Sequence, residues 1–345
     1  MKKFPLILSL ILIISLLTGC AGTPVVYYTN CTCPPAAHEV VAEPAPAPVV
    51  PETEAPVLAE GALKTGLAIA TSIAKSESAT ADAAGKADYD MTMVAVLVDD
   101  NGIIQDCIID GIAASIEFDA TGAITTDLTV APQTKNEKGE AYGMVAWGGA
   151  IAEWDVQAAA VAAACVGKHY GDLQGVLVNE AGYAADGTDL ATSATIKIGG
   201  YVKAVELAAA NAQHLGAQAG DTLKMATITG IGDSTSASAD AAGNAQLNAD
   251  VTALTMNGDV ITSCYIDSVQ AKVAFDATGT VTTDLTAAPQ TKNEKGEAYG
   301  MVAWGGAIAE WNEQAASSQL MLPARPLMRL QTSALPKIRR PLMQT

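Results

Sequence analysis

One short segment, Asp189-Leu-Ala-Thr192-Ser-Ala-Thr195, contains the residues whose types and spacing best suit chemistry. It combines a carboxylate with three hydroxyls and small side chains, and the sequence predicts a helix after it, from Tyr201 to Asn211. Small residues let the backbone approach a phosphate group, and the free N–H groups and dipole at a helix N-terminus favour an anion. The same residues also fit an ordinary strand that enters a helix, so both interpretations stay open at this point.

Other catalytic signatures are absent from the sequence. It has no Gly-x-Ser-x-Gly motif, no phosphate-binding loop and no His-Glu-x-x-His, and Gly230-Ile-Gly232 lacks the third glycine of a dinucleotide-binding fingerprint. His38, His169 and His214 have no suitably spaced acidic or cysteine partners, and we expect them at the surface. The pair Asp99-Asp100 is interpreted as part of a turn. The sequence therefore predicts neither a metal site nor acid–base catalysis.

The segment and the helix after it resemble the flavinylation motif of the FMN-binding domain family. In that family an Asp-x-x-Ser/Thr-Gly-Ala-Thr/Ser pattern precedes a helix, and its last hydroxyl residue receives FMN through a phosphoester bond made by a dedicated transferase. The resemblance implies that Thr195 carries the FMN and that Asp189 contributes to recognition by the flavin transferase. Thr192 takes the Ser/Thr position of the motif, Ser193 stands where glycine is usual, and Ser193 and Ala194 act as small spacers.

The block from Thr134 to Met144 is polar and punctuated by glycine, and the sequence predicts a loop there. Tyr142, Met144, Trp147 and Trp154 supply much of the scarce aromatic or polarizable surface of this region. One hypothesis is that the loop covers the isoalloxazine ring of the FMN. The alternative is that these residues fill a gap in an alanine-rich core.

An internal repeat organises the chain. Residues 131–154 recur without change at 288–311, an offset of 157 residues, and Cys107 matches Cys264 at the same offset. We interpret this as the duplication of one ancestral unit.

The two copies differ in length. The first repeat spans 62–216, whereas the second, at 217–316, lacks any counterpart of residues 160–213. The second copy is therefore truncated, and it contains no equivalent of the segment that ends at Thr195.

Within each unit, strands are predicted first and helices later. Met93–Val98 and Ile103–Ile109 are apolar, β-branched runs separated by the turn Asp99–Gly102, and Met256–Asp259 gives the corresponding turn in the second copy. Further predicted elements are strands at Ile116–Phe118, Ala123–Thr126 and Val176–Val178, and a helix from Ala150 through Cys165. The predicted class is α+β, an antiparallel sheet with packed alanine-rich helices.

The N-terminal residues 1–19 are typical of an export signal, with a basic start and an apolar stretch too short for a comfortable membrane span. Leu17 to Cys20 resemble a bacterial lipobox, which implies a lipoprotein signal peptide and a lipid-modified Cys20 that holds the protein at a membrane surface. The alternative is an uncleaved hydrophobic anchor. Residues 20–61 are rich in Pro, Ala and Glu and predict an extended, semi-rigid spacer.

The six cysteines do not indicate a disulfide framework. Cys31 and Cys33 are too close for an easy mutual disulfide and lack a second cysteine pair for a zinc site. Cys107, Cys165 and Cys264 are far apart in the sequence, and we expect them to be buried apolar residues.

The chain is acidic, with a formal net charge of −18, and this balance argues against a DNA or RNA partner, because phosphate neutralisation requires Lys and Arg. All of its arginines lie in a Pro-containing tail at 317–345 that has no Asp or Glu. We interpret this abrupt change as a shifted reading frame. The alternative is a functional basic segment that binds a membrane or an acidic partner.

The resemblance to the FMN-binding domain family covers roughly residues 62–213 and, incompletely, 222–316. With the lipobox, the chain looks like the surface flavin lipoproteins of Gram-positive bacteria that serve extracellular electron transfer. This implies an electron carrier anchored at the extracellular face of the cell membrane, with covalent FMN on Thr195, a membrane dehydrogenase as donor and an extracellular acceptor. It would be a redox carrier rather than a turnover enzyme. The alternative is a cofactor-free surface lipoprotein that binds a ligand or a protein partner.

Overall fold

The computed structural model describes residues 61–322, which lie in one compact unit. These residues form antiparallel sheets with helices packed on them, so the predicted α+β class is confirmed. Within them, no helix is long and apolar enough to cross a membrane. The predicted signal peptide at 1–19, the lipid site at Cys20, the spacer up to residue 60 and the tail beyond residue 322 lie outside the described residues.

Two three-stranded sheets form the centre of the fold, one from each repeat. The strands are β1 (Lys64–Ser72), β2 (Gly85–Val98), β3 (Ile104–Phe118), β4 (Thr222–Gly230), β5 (Gly243–Asn257) and β6 (Val260–Phe275). Each sheet is a simple antiparallel meander, in the order β1-β2-β3 or β4-β5-β6. The strands are longer than predicted, because their outer residues alternate between buried and partly exposed positions and give no continuous apolar run.

The helices follow the strands in each repeat. They are α1 (Lys135–Lys138), α2 (Met144–Gly148), α3 (Trp154–Cys165), α4 (Leu173–Leu177), α5 (Asp189–Ser193), α6 (Gly199–Ala210), α7 (Lys292–Lys295), α8 (Met301–Gly305) and α9 (Trp311–Met321). Helices α7 to α9 follow the second sheet as α1 to α3 follow the first. In the described part of the second repeat, nothing corresponds to α4, α5 and α6.

The main core lies between the two sheets and is shared by both repeats. At its edge the rings of Phe118 and Phe275 stack in parallel, with centroids 4.0 Å apart. Each ring also covers the glycine opposite it on the neighbouring strand, Gly85 or Gly243, where a Cβ atom would overlap the ring. Neither sheet therefore buries its inner face without the other.

The loops at this edge exchange hydrogen bonds in a reciprocal way. The Ala79 N–H donates to the Gly279 carbonyl and the Ala237 N–H donates to the Gly122 carbonyl, both at 2.8 Å. Corresponding parts of the two repeats thus meet each other, as at an isologous interface between identical subunits.

A second core lies on the outer face of the first sheet, where α3 and α6 cover it. Gly66 in β1 allows this close packing, because a Cβ atom there would overlap the Ala208 carbonyl of α6. Residues 93–98 are consequently buried on both faces of the sheet, which explains their continuous apolar run. In the described residues the second sheet has α7 and α9 against β6 but no counterpart of α6, and Ile228 of β4 is 73% exposed.

Several predicted elements differ from the structure. The predicted strand Val176–Val178 is wrong: the chain forms α4 there, since Leu173 and Leu177 are one helical turn apart and both are buried. Helix α3 begins at Trp154 rather than Ala150, and α6 begins at Gly199 rather than Tyr201.

The turn and histidine predictions are confirmed in part. The Asp99 carboxylate accepts hydrogen bonds from the backbone of its own turn, as expected. Asp100 instead forms an ion pair with Lys64 at 2.8 Å and lies 2.9 Å from Nε2 of His214. His169 is exposed, but His214 is half-buried and has an acidic partner that is distant in the sequence.

The three described cysteines are free and buried, as predicted. Burial raises the pKa of the Cys165 thiol to about 12 and that of Cys264 to about 11. These thiols are therefore protonated at neutral pH and act as apolar side chains.

Candidate functional site

Thr195 lies in the extended connection between α5 and α6, and its side chain is exposed. The hydroxyls of Thr192 and Ser193 instead donate to the Asp189 carbonyl, at 2.8 and 3.0 Å, within α5. Ala194 is buried against the second core. Of the three hydroxyls, that of Thr195 is thus the most available for modification, since its hydrogen bond to the Gln157 oxygen is long, at 3.4 Å.

Gln157 of α3 fixes the backbone at this hydroxyl. Its fully buried side-chain oxygen accepts hydrogen bonds from the N–H groups of Thr195 at 2.8 Å and Ile196 at 3.3 Å. Its amide nitrogen donates to the Ala152 carbonyl at 2.8 Å, which sets the orientation of the amide. Gln157 was not among the predicted site residues, although its recurrence as Gln314 in the second repeat distinguishes it in the sequence.

Helix α6 begins four residues after Thr195. The N–H groups of Ile198 and Gly199 both donate to the Gly182 carbonyl, at 2.8 and 3.0 Å. Gly200 follows in the first helical turn, where N–H groups have no acceptor within the helix. The end of this twelve-residue helix that carries positive potential is therefore the end that follows Thr195 in the chain.

The block from Thr134 to Met144 is not the predicted loop. It forms α1 and then a 3₁₀ turn from Gly139 to Tyr142. The reason is a capping box: the Thr134 hydroxyl accepts from the Glu137 N–H at 3.1 Å, and the Glu137 carboxylate accepts from the Thr134 N–H at 2.8 Å. The Thr-x-x-Glu spacing is a helix-start signal, which the polar composition obscured.

The same block is joined to α3 through Glu153. This carboxylate lies just before α3 and accepts hydrogen bonds from the N–H groups of Met144 at 2.8 Å and Val145 at 3.0 Å. Met144 and Tyr142 are both partly buried against the second core. Glu153, just before α3, thus holds Met144, and Gln157, within α3, holds Thr195. These two supporting residues are four positions apart in the sequence.

A buried lysine joins the aromatic residues of this region. The Lys135 ammonium lies 5.0 Å from the Trp154 ring centroid and 5.6 Å from that of Tyr142, and it pairs with Asp90 at 3.5 Å. The Trp154 indole N–H donates to the Tyr201 hydroxyl at 3.1 Å. Trp154 therefore belongs to the core.

Trp147 has a different environment, because its side chain is 90% exposed. Filling a gap in the core, the alternative considered for these aromatic residues, therefore fits Trp154 but not Trp147.

The second repeat contains only part of this arrangement. Lys292 lies 5.0 Å from the Trp311 ring and 5.3 Å from the Tyr299 ring. Gln314 donates to the Ala309 carbonyl at 2.8 Å, as Gln157 does to Ala152. No described residue of this repeat replaces the segment that carries Thr195.

Asp110 anchors α1 to the first sheet. Its carboxylate accepts from the N–H groups of Gly111 at 2.7 Å and Asn136 at 3.0 Å. Burial is the largest influence on this carboxyl and raises its pKa above the ordinary value of 3.8, as it does for the equivalent Asp267.

A raised pKa in the folded state means that folding favours the protonated carboxyl. We therefore expect these two groups to lower the free energy of unfolding as the pH rises from about 4 through their folded pKa values. A double variant with Asp110→Asn and Asp267→Asn should not show that loss of unfolding free energy with rising pH. The difference in urea stability between variant and wild type, measured from pH 4 to 7, should increase with pH. A constant difference would contradict the prediction.

In comparisons with known proteins, no family model, curated protein or solved structure matches the chain.

Proposed function

We propose that this protein is a membrane-anchored extracellular electron carrier with FMN attached to Thr195. The observation that carries the proposal is the Thr195 hydroxyl, exposed on a backbone that the buried Gln157 amide holds in place. Its motif, from Asp189 to Thr195, is the one that resembles a flavinylation site. Anchoring would be through lipid on Cys20.

The residues present fit the phosphate of such a group. The first turn of α6 provides N–H groups and a positive helix end, and Lys197 lies two residues after Thr195. Gly200 leaves open space, since no atom lies within 4 Å of the position that a Cβ would take. A phosphoester at Thr195 would thus be followed in the chain by a lysine and by a helix N-terminus, both of which favour an anion.

Each site residue has a distinct part in the proposal. Asp189, Thr192 and Ser193 are exposed and accessible to a flavin transferase. Gln157 orients the attachment residue, and the block containing Tyr142 and Met144 is fixed to the same helix by Glu153. FMN, when bound, supplies electron transfer, while the protein determines its position and surroundings. Exposure of Thr195 would leave room for a membrane dehydrogenase and an extracellular acceptor.

A cofactor-free surface protein that binds a partner is the second candidate. It is favoured by the two repeated tryptophans, Trp147 and Trp304, which are 90% and 91% exposed. Neighbouring Val145 and Val302 are each 46% exposed. Exposed aromatic residues of this kind are common at protein interfaces.

Absorption spectroscopy separates the two candidates. When the chain is coexpressed with an active flavin transferase, we expect flavin absorption that survives denaturation, with no more than one FMN per chain. Thr195→Ala should remove all covalent flavin, whereas Thr222→Ala, which changes an exposed threonine of the second repeat, should retain it. A colourless wild-type protein would refute the proposal, and two covalent flavins per chain would show that a second attachment site exists.

A further inference from the structure

A cavity of about 400 Å³ lies at the seam between the two repeats. One wall is formed by β1 and the end of α6, including Leu67, Leu207 and Asn211. The opposite wall is formed by β6, α7 and α9 of the second repeat. The cavity is distinct from the Thr195 site, and its volume is in the range of small-molecule sites.

One polar group in the lining of this cavity is an acceptor that lacks a partner. The Asn312 side-chain oxygen is buried without a hydrogen-bond partner. The amide nitrogens of Asn211 and Gln319 donate to the carbonyls of Leu67 at 3.4 Å and Ile266 at 3.2 Å, and these bonds leave both side-chain oxygens available as further acceptors. A hydrogen-bond donor on an occupant would satisfy the Asn312 oxygen.

The charge of the lining is negative. Asp267 and Glu294 line the cavity, and the lining contains no Lys, Arg or His. Asp267 is largely buried and receives hydrogen bonds only from neutral groups, including the N–H groups of Ser268 at 2.7 Å and Asn293 at 3.1 Å. A cation placed here would compensate a buried carboxylate that lacks an ionic partner.

The donor set is unsuited to a bare metal ion. Within residues 61–322, no group of three or more His, Cys, Asp or Glu side chains is arranged to hold one. The cavity also has apolar surface, provided by the buried Leu67 and the partly exposed Leu207. An occupant with both an ammonium group and a short hydrocarbon body matches the two kinds of wall.

We propose that this seam cavity binds a small organic cation of the aliphatic amine class. Its ammonium group donates hydrogen bonds to the Asn312 oxygen and to the Asp267 carboxylate, and its hydrocarbon chain packs against Leu67. The site requires both repeats, because neither wall closes the cavity alone. This proposal does not depend on FMN attachment at Thr195.

Isothermal titration calorimetry of the full chain with 1,4-diaminobutane tests it. We expect one saturable site per chain, weakened by added salt, and no measurable heat from the neutral analogue 1,4-butanediol. Asn312→Leu should weaken binding about tenfold or more, through loss of a charge-assisted hydrogen bond. Asn312→Asp should strengthen it, because it adds a negative charge at the same position.

The matched control is Asp155→Asn, since Asp155 occupies the position equivalent to Asn312 and lines a separate cavity in the first repeat. This variant should bind the diamine as the wild type does. Three results would overturn the proposal: no saturable binding, equal binding of the diol, or binding that is lost in Asp155→Asn but kept in Asn312→Leu. The proposal predicts weaker binding by Asn312→Leu and stronger binding by Asn312→Asp. Misfolding of one variant could not produce both results.

Discussion

Replacing Phe118 with alanine will lower the free energy of unfolding by about 3–5 kcal/mol. The ring is fully buried between the two sheets, stacked on Phe275, and it covers the backbone of Gly85. Its removal opens a cavity at a point where both repeats meet, and the backbone on each side is held by sheet hydrogen bonds that limit collapse. Equilibrium unfolding in urea, followed by circular dichroism, measures the effect.

A double-mutant cycle with Phe275→Ala identifies the contribution of the pair. We expect a coupling energy of about 0.5–1.5 kcal/mol between the two rings. The control is Ile228→Ala, which shortens an equally apolar but exposed side chain and should change stability by no more than about 0.5 kcal/mol. A Phe118→Ala effect as small as that of the control would show that the sheets do not share this core.

The α+β class followed from sequence because the two hairpins have local signals. Asp99–Gly102 and Met256–Asp259 are turn sequences between β-branched runs, and the structure has tight turns at both. The pairing of one sheet against the other could not be predicted in this way. It depends on contacts such as the stacking of Phe118 on Phe275, which are 157 residues apart. A contact between such distant residues produces no periodic pattern in the sequence of either strand.

Short helices were the least predictable elements. In α4 the spacing of Leu173 and Leu177 matters, but Val176–Val178 also reads as an apolar β-branched strand, and only tertiary packing separates the two. In α1 the capping box was visible as Thr134 and Glu137, yet four residues are too few to show helical periodicity. Such helices are stable because of their caps and their contacts rather than their intrinsic propensity.

The exposed residues of the candidate site were proposed from the sequence, but the buried residues that hold them in place were not. The motif located Thr195 because hydroxyl and small residues recur at defined spacing. Gln157, Glu153 and Lys135 act through buried hydrogen bonds and ring contacts, and a polar residue in a predicted helix gives no indication of which way it faces. Lys135 and Glu153 lie in the block that recurs without change, and Gln157 lies just after it. This recurrence was the one sequence feature that these three residues share.

Replacing Gln157 with leucine will free the segment around Thr195. Two backbone N–H groups lose their acceptor, and the free energy of unfolding should fall by about 2–3 kcal/mol. Hydrogen exchange should localise the effect, with faster exchange of the Thr195 and Ile196 amides than in the wild type. If FMN is attached at Thr195, the same variant should also load less flavin, because the acceptor hydroxyl is no longer held in one position.

Gln314→Leu is the matched control for this prediction, because both glutamines make the same hydrogen bond through their amide nitrogen, although Gln157 is fully buried and Gln314 is partly exposed. Each donates its amide N–H to a backbone carbonyl five residues earlier at 2.8 Å, but only Gln157 also accepts hydrogen bonds from the Thr195 segment. Faster exchange at Thr195 in the Gln157 variant alone therefore reports the acceptor role, whereas the stability difference also includes the deeper burial of Gln157. We expect Gln157→Leu to be more destabilising by about 1–2 kcal/mol and to be the only one that increases exchange at Thr195. Equal effects in stability and exchange would mean that the buried oxygen of Gln157 does not hold the attachment segment.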